Sequence, residues 1–326
     1  MAHESTCSLL WRVAGAQGVG VGFLLDELGE GPDGQQALQP HLAEVFLSRA
    51  AADRLAQLLG VPSARLRWAL PHLREPHLLP GEQPRWEWPW RPLAHYLVPA
   101  CGLCAAARGG HWGEVWLVWP DRWRICERHG RFTHVRQGGP GGVDLARLPE
   151  SVRAHRGRGR LERRFGPGGA VLVADAFALT GWWWRRDPFT PRWIERAGRA
   201  GLQPADVETA WLLVYPEALE VARALLRYEQ RRAAGPGGPW AAAESRLMAE
   251  LAQLADTLAL TPGRWQVPVA EWLDRHQRCA PAAGDDEAGG RRRPVTALVH
   301  RDDENQASLE DRCCLPWDWS DPFAAV

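Results

Sequence analysis

The sequence predicts a mainly α-helical protein interrupted once by a short β-hairpin module and ending in a disordered tail. Three observations carry this. Apolar residues recur at three-and-four spacing on both sides of the middle of the chain. One stretch replaces that period with strand-length apolar runs set between paired cysteines. From Cys279 onward, runs of Asp, Glu, Gly and Arg show no period at all. The expected organisation is a helical N-terminal domain (1–92), a hairpin module (93–137), a helical C-terminal domain (138–278) and a tail (279–326). A chain of 326 residues, 45% hydrophobic, is long enough for two or three such units.

Ser5 or Thr6 can cap the first helix, whose apolar positions are Leu9, Leu10, Val13 and Ala14 and which Gly18 ends. The run GVGVG, Gly18 to Gly22, follows a helix rather than a strand and lacks the G-x-G-x-x-G spacing, so it is a linker and not a nucleotide loop. Gly29 to Gly34 is a second loop. Ser48 to Leu73 has a helix-turn-helix outline: Ser48 caps one helix, Gly60-Val61-Pro62 turns the chain, and Ser63 caps the next. Ala56 stands where the helices would cross, and Leu66 is placed to pack on Leu55 and Leu59. An αα-hairpin inside a helical domain fits the same residues. The second helix would expose Ala64, Arg65, Arg67 and Trp68, a face suited to phosphates or to a protein partner. Between Leu78 and Pro92 the chain is an ordered connector. Trp86, Trp88 and Trp90 alternate there, so one extended face can cover the hairpin module; a base-stacking platform is the alternative use.

The hairpin module carries the most specific pattern. Cys101 and Cys104 are two residues apart, and so are Cys126 and His129, with twenty-one residues between the pairs. Two short-looped pairs of soft ligands joined by a fold-back connector make a tetrahedral zinc spacing. Within the connector, Val115 to Trp119 reads as one strand, Pro120-Asp121 as a turn, and Trp123 to Cys126 as the returning strand. A thioredoxin-like redox pair would need a βαβ context and would not need Cys126 and His129. Four protein ligands leave no position for a catalytic water, so one structural zinc is expected. The deaminase order, His-x-Glu before Pro-Cys-x-x-Cys, is absent.

ESTCSLLWRVAGAQG, the outline ending in LGVPSARLRWALPHL, and CGLC followed by HWGEVWLVW and CERHG together resemble the TniQ family of transposition accessory proteins, over roughly the first 140 residues. Ser5, Ser8, Arg12, Ala14 and Gly18 match the family's serine-containing first helix. Cys101, Cys104, Trp112, Trp116, Cys126, His129 and Gly130 match its zinc module. The resemblance implies a non-enzymatic transposition or target-selection factor that works with a transposase and an AAA-type ATPase. Many members carry a second Cys-x-x-Cys after the His-Gly; here RFTHVRQGGPGG follows, and Glu127 replaces a common proline.

Past the loop at Gly138 to Gly142 the chain turns helical and arginine-rich. Arg153, Arg156, Arg158, Arg160, Arg163 and Arg164 stand within twelve residues against a single Glu162. Either a solvated helix face or a phosphate-contacting patch has this density. Trp182-Trp183-Trp184 closes a helix before Asp187-Pro188, and three consecutive rings cannot share one helical face. Helices follow over Pro191 to Gly201, Pro204 to Val214, Pro216 to Arg232, Trp240 to Ala259 and Pro268 to Gln277, with a linker at Gly235 to Pro239. Leu247, Leu251, Leu254 and Leu258 form a core stripe. The tail ends in CCLPWDWSDPFAAV, which suits either a short docking motif or a fraying end.

Composition closes off several functions. All 39 basic residues are arginine, so no P-loop, Schiff-base or kinase lysine exists. Formal net charge is zero, so nucleic acid must be met by a local patch. No G-x-S-x-G or H-E-x-x-H occurs. The N-terminus lacks a signal pattern, no apolar run is of membrane-spanning length, and seven scattered cysteines make no disulfide framework; a cytoplasmic, reduced protein is expected. The resulting reading is a zinc-binding, DNA-linked scaffold without turnover. The alternatives are a stand-alone helix-turn-helix transcription regulator and, less supported, a zinc-module nuclease with His95 or His111 as base.

Overall fold

A computed structural model describes residues 1–32, 39–41, 43–88, 97–109, 115–118, 124–133, 142–233 and 240–278. Trp90, His95, His111, Trp112, the Pro120-Asp121 turn, the 235–239 linker and the 279–326 tail lie outside the described residues. The chain is mainly helical with small antiparallel sheets, and it divides into two units, Met1–Asp144 and Leu145–Val326. Among the described residues no single helix is long and apolar enough to cross a membrane.

In the first unit, α1 (Thr6–Gln17) starts where the Ser5 hydroxyl accepts the Ser8 N–H and ends at Gly18, whose φ of 68° suits glycine. Helix α2 (Val21–Leu28) follows. The two-residue strand β1 (Phe46–Leu47) leads to Ser48, which caps α3 (Arg49–Leu59), and Gly60 ends that helix in the left-handed region. Helix α4 (Ser63–Ala69) is capped by Pro62 without a side-chain bond; Ser63, expected as the cap, instead donates to Asp53 Oδ1 at 3.0 Å. Leu66 shares a core with Leu55 and Leu59, as well as with Cys7, Leu10, Leu25, Leu28 and Leu47.

The tryptophan connector serves that same core. Trp86 lies in β2 (Trp86–Glu87), which pairs antiparallel with β1, and its ring is 2% exposed among the helix residues. Trp88 packs on the same cluster. The expectation that these rings cover the cysteine module is therefore corrected: a ring of this size contributes most where it fills the largest apolar space, and here that is between helices. A Cβ at Gly31 would fall 2.1 Å from the Trp86 ring, so the loop can approach it only as glycine.

The expected hairpin is corrected as well. Strand β3 (Leu97–Pro99) precedes α5 (Gly102–Gly109), and β4 (Trp116–Val118) pairs antiparallel with β3. Strand β5 (Arg124–Cys126) pairs with β6 (Arg131–Thr133), which pairs with β7 (Val143–Asp144). Among the described residues β4 and β5 belong to separate sheets. Val98, Ala100, Ala105, Val115 and Leu117 form a small core under the first sheet, and Ile125 and Phe132 are buried in the second.

The second unit is helical. Its longest element, α6 (Pro149–Arg186), is broken at Gly166, where φ is 60° and ψ is −146°. Helices α7 (Pro191–Ala200), α8 (Val207–Ala233), α9 (Trp240–Leu258) and α10 (Gln266–Arg278) complete it. The most extensive packing is between α6 and α8. The predicted stripe of Leu247, Leu251, Leu254 and Leu258 is buried. Trp183 and Trp184 are buried and donate to the carbonyls of Trp265 (3.1 Å) and Pro204 (2.9 Å), whereas Arg186 covers the ring of Trp182. The expected break between two helices at Pro216 is absent, because α8 runs through it.

Candidate metal centre and arginine surfaces

Cys101 directly precedes α5 and Cys104 sits in its first turn; Cys126 ends β5 and His129 follows in the turn to β6. Gly130 closes that turn at φ 58°, its N–H donating to the Cys126 carbonyl at 2.8 Å. A left-handed residue is what brings the chain back fast enough for His129 to face Cys126. The four ligand atoms lie within 4.8 Å of one another. The separations are 3.4 Å for Cys101 Sγ to His129 Nδ1, 3.2 Å for Cys104 Sγ to His129 Nδ1, and 3.7 Å for both Cys104 Sγ to Cys126 Sγ and Cys126 Sγ to His129 Nδ1.

These distances suit a tetrahedron around a metal ion. With Zn–S near 2.3 Å and Zn–N near 2.05 Å, its edges would be about 3.75 Å between sulfurs and about 3.55 Å between sulfur and nitrogen. Burial and the neighbouring Cys126 push the Cys104 thiol up to about 12, with Cys101 adding to it. Cys104 therefore resists becoming a thiolate, and a divalent cation supplies the charge that reverses this. The group could hold one metal ion through four protein ligands.

Behind the ligands the module is joined to the N-terminal helix. Ser5 N–H donates to the Trp116 carbonyl (2.8 Å), Trp116 N–H donates to Ser8 Oγ (2.9 Å), and Val118 N–H donates to the His3 carbonyl (2.8 Å). Strand β4 is thus held by β3 on one edge and by residues 3–5 on the other. Glu4, fully buried, fixes this edge: it accepts from Arg12 Nε (2.8 Å) and Nη2 (2.9 Å) and from Ser8 Oγ (3.3 Å), and it meets the N-terminal ammonium at 2.5 Å. Sequence reasoning noted Ser5, Ser8 and Arg12 but missed Glu4. The signal was a carboxylate four residues before Ser8 and eight before Arg12 on one helical approach.

The arginines divide by exposure. On α4, Arg65 is exposed and Trp68 is 67% exposed, whereas Arg67 is half-buried and lies 3.7 Å from Asp53. On α6, Arg153, Arg156, Arg160, Arg163 and Arg164 are exposed. Arg158 is not available at the surface: it is 7% exposed and its Nε donates to Glu162 at 2.6 Å. At about 100° per residue the five exposed side chains fall within an arc of about 100°, and Arg158 projects about 140° away from Arg153. Arg153, Arg156 and Arg160 line a cleft between α6 and α8, which Arg223, unremarked in the sequence, completes.

Searches for known counterparts find no family model, no curated protein and no solved structure that matches the chain.

Proposed function

We propose that the chain is a zinc-holding, TniQ-like scaffold for DNA transposition or target selection, cytoplasmic and without turnover, that bridges DNA or a transposase and AAA-type ATPase. The observation that carries this reading is the meeting of the two halves of the resemblance. The serine-containing helix and the Cys/His module, 108 residues apart at Ser8 and Trp116, are joined backbone to side chain in one buried contact. Two patterns that make a single packed unit favour one ancestral module over two coincidences.

Zinc is the metal the donors suit best. Three thiolates and an imidazole in a closed tetrahedron select a soft, redox-inert ion whose role is to hold the fold. Metal analysis of the purified chain is expected to give one zinc per chain. Cys104→Ser and His129→Ala are each expected to lose it and lower the melting temperature, because the binding free energy of such a site is folding free energy. Variants that keep both metal and stability would remove the zinc assignment.

The partner assignment has its own test. Affinity purification of the tagged chain is expected to bring down a transposase or an AAA-type ATPase. The exposed Arg65 and Trp68 on α4 support a second reading, a regulator that reads DNA through a helix-turn-helix. Sequence-specific binding of one operator by the isolated chain, with no such co-purification, selects that reading instead.

A further inference from the structure

Between α6 and α8 lies a cleft of about 420 Å³. Its walls carry Arg153, Arg156 and Arg160 from one helix and Arg223 from the other, with Glu150 and Glu220 as the carboxylates among the lining residues. Glu150 is already engaged by Arg199 and, at 3.4 Å, by Arg196 Nε. Four arginines and, beyond Glu150, the carboxylate of Glu220 therefore line one space.

Like charges gathered along one cleft repel, and a bound anion would offset that repulsion. The helices nevertheless approach closely at this place. A Cβ on Gly157 would stand 2.4 Å from Leu219 Cδ2 and 3.3 Å from Arg223 Nη2, so the glycine is what lets α8 bring Arg223 up to α6. The volume lies within the range of small-ligand sites, from about 300 to 1,000 Å³.

We propose that this cleft is a phosphate site in which Arg153, Arg156, Arg160 and Arg223 clasp one phosphate group between the two helices. Planar guanidinium forks match phosphate oxygens two at a time, which a single lysine-like charge cannot do. The phosphate comes either from a free phosphate ester or from the backbone of a nucleic-acid strand, and only the second source rests on the DNA-linked reading above.

The test uses the full-length, zinc-loaded chain with two probes: inorganic pyrophosphate followed by calorimetry, and a labelled DNA duplex followed by fluorescence anisotropy across a salt series. Arg160→Gln and Arg223→Gln are each expected to weaken pyrophosphate binding by about tenfold or more, as loss of a charge-assisted contact does. Arg246→Gln, an exposed arginine on α9, serves as control and is expected to stay within about twofold. If the duplex also binds and each cleft variant lowers its salt slope by about 0.9, the phosphate belongs to nucleic acid. Pyrophosphate binding without duplex binding supports the site and removes the DNA role of the block. Duplex binding with no pyrophosphate binding, and with a salt slope that neither variant changes, overturns the site and leaves the DNA-linked reading standing. Failure of both probes to bind overturns both.

Discussion

Glu217 is 1% exposed and has three donors converging on it. Arg196 reaches it with Nη1 at 2.8 Å and Nη2 at 2.9 Å, and Trp193 Nε1 at 3.4 Å. A buried bidentate pair adds little net stability against an apolar pair of the same shape, but removing one member strands the other charge. Arg196→Ala is therefore expected to cost about 3–5 kcal/mol in urea unfolding, and joint replacement, Arg196→Met with Glu217→Leu, to recover most of it. A loss below about 1 kcal/mol for the single variant would mean the pair is solvated. Nearby Glu150 sets an acid limit. Burial raises its carboxyl, but its backbone hydrogen bond and the guanidinium groups of Arg199 and Arg196 outweigh that and hold it below the ordinary 4.5. A folded-state value below the unfolded one gives stability that is present above pH 4.5 and lost as pH falls through the folded value. Glu150→Gln is expected to flatten the acid limb of a pH–melting curve below that point. None of this was legible in the sequence, because Glu4, Arg158, Arg196 and Glu217 are residue types that composition assigns to the surface, and only tertiary partners bring them inside.

At the scale of elements, α8 shows why one expected break did not occur. Pro216 has no N–H for the Leu212 carbonyl, which in a lone helix would be left unpaired. Ser151 Oγ of α6 donates to that carbonyl at 2.8 Å, and Arg196 Nη1 of α7 donates to the adjoining Leu213 carbonyl. Neighbouring helices therefore satisfy what the proline removes, and the helix continues. Ser151→Ala is expected to cost about 1–3 kcal/mol by orphaning the carbonyl. With Pro216→Ala the amide returns, so the same serine replacement should then cost much less. An additive double-mutant cycle would show that the serine contact does not compensate the proline. Features fixed by neighbours in sequence were readable: the caps at Ser5 and Ser48, and the left-handed stops at Gly18, Gly60 and Gly201. Strand partnering was not. The apolar run of β4 and the return of β5 look like one hairpin in sequence, yet β4 prefers β3 and residues 3–5, and that choice depends on packing far along the chain. The arginine block was visible as charge, but its division into a facing stripe and a buried Arg158 needed the helical phase.

For the molecule as a whole, the metal group was legible because its spacing is local within each pair, whereas the dock onto α1 was not. The consequence is that the ligand group and the N-terminal helix engage different parts of the module, the four ligands at β5, its turn and the start of α5, and α1 at β4. The ligands on α5 and the β5–β6 turn fix the module, and Ser5 and Ser8 fix β4. The helices from Leu145 bury a core of their own, including Phe177, Trp193, Leu225 and Trp272. Removing the metal by chelation is therefore expected to speed amide exchange at Ile125 and Phe132 on β5 and β6 while amides of α6 and α8 keep their protection, because local opening follows the contacts that each segment possesses. The rate of removal has a sign fixed by the thiols. Burial and adjacent thiols push Cys104 to about 12 in the absence of a cation, so binding must displace its proton, and affinity falls as pH falls. Transfer to a chelator should run faster at pH 6 than at pH 8. Equal rates, or loss of protection in α6 together with β5, would mean that the four-ligand group is not what holds this half of the chain.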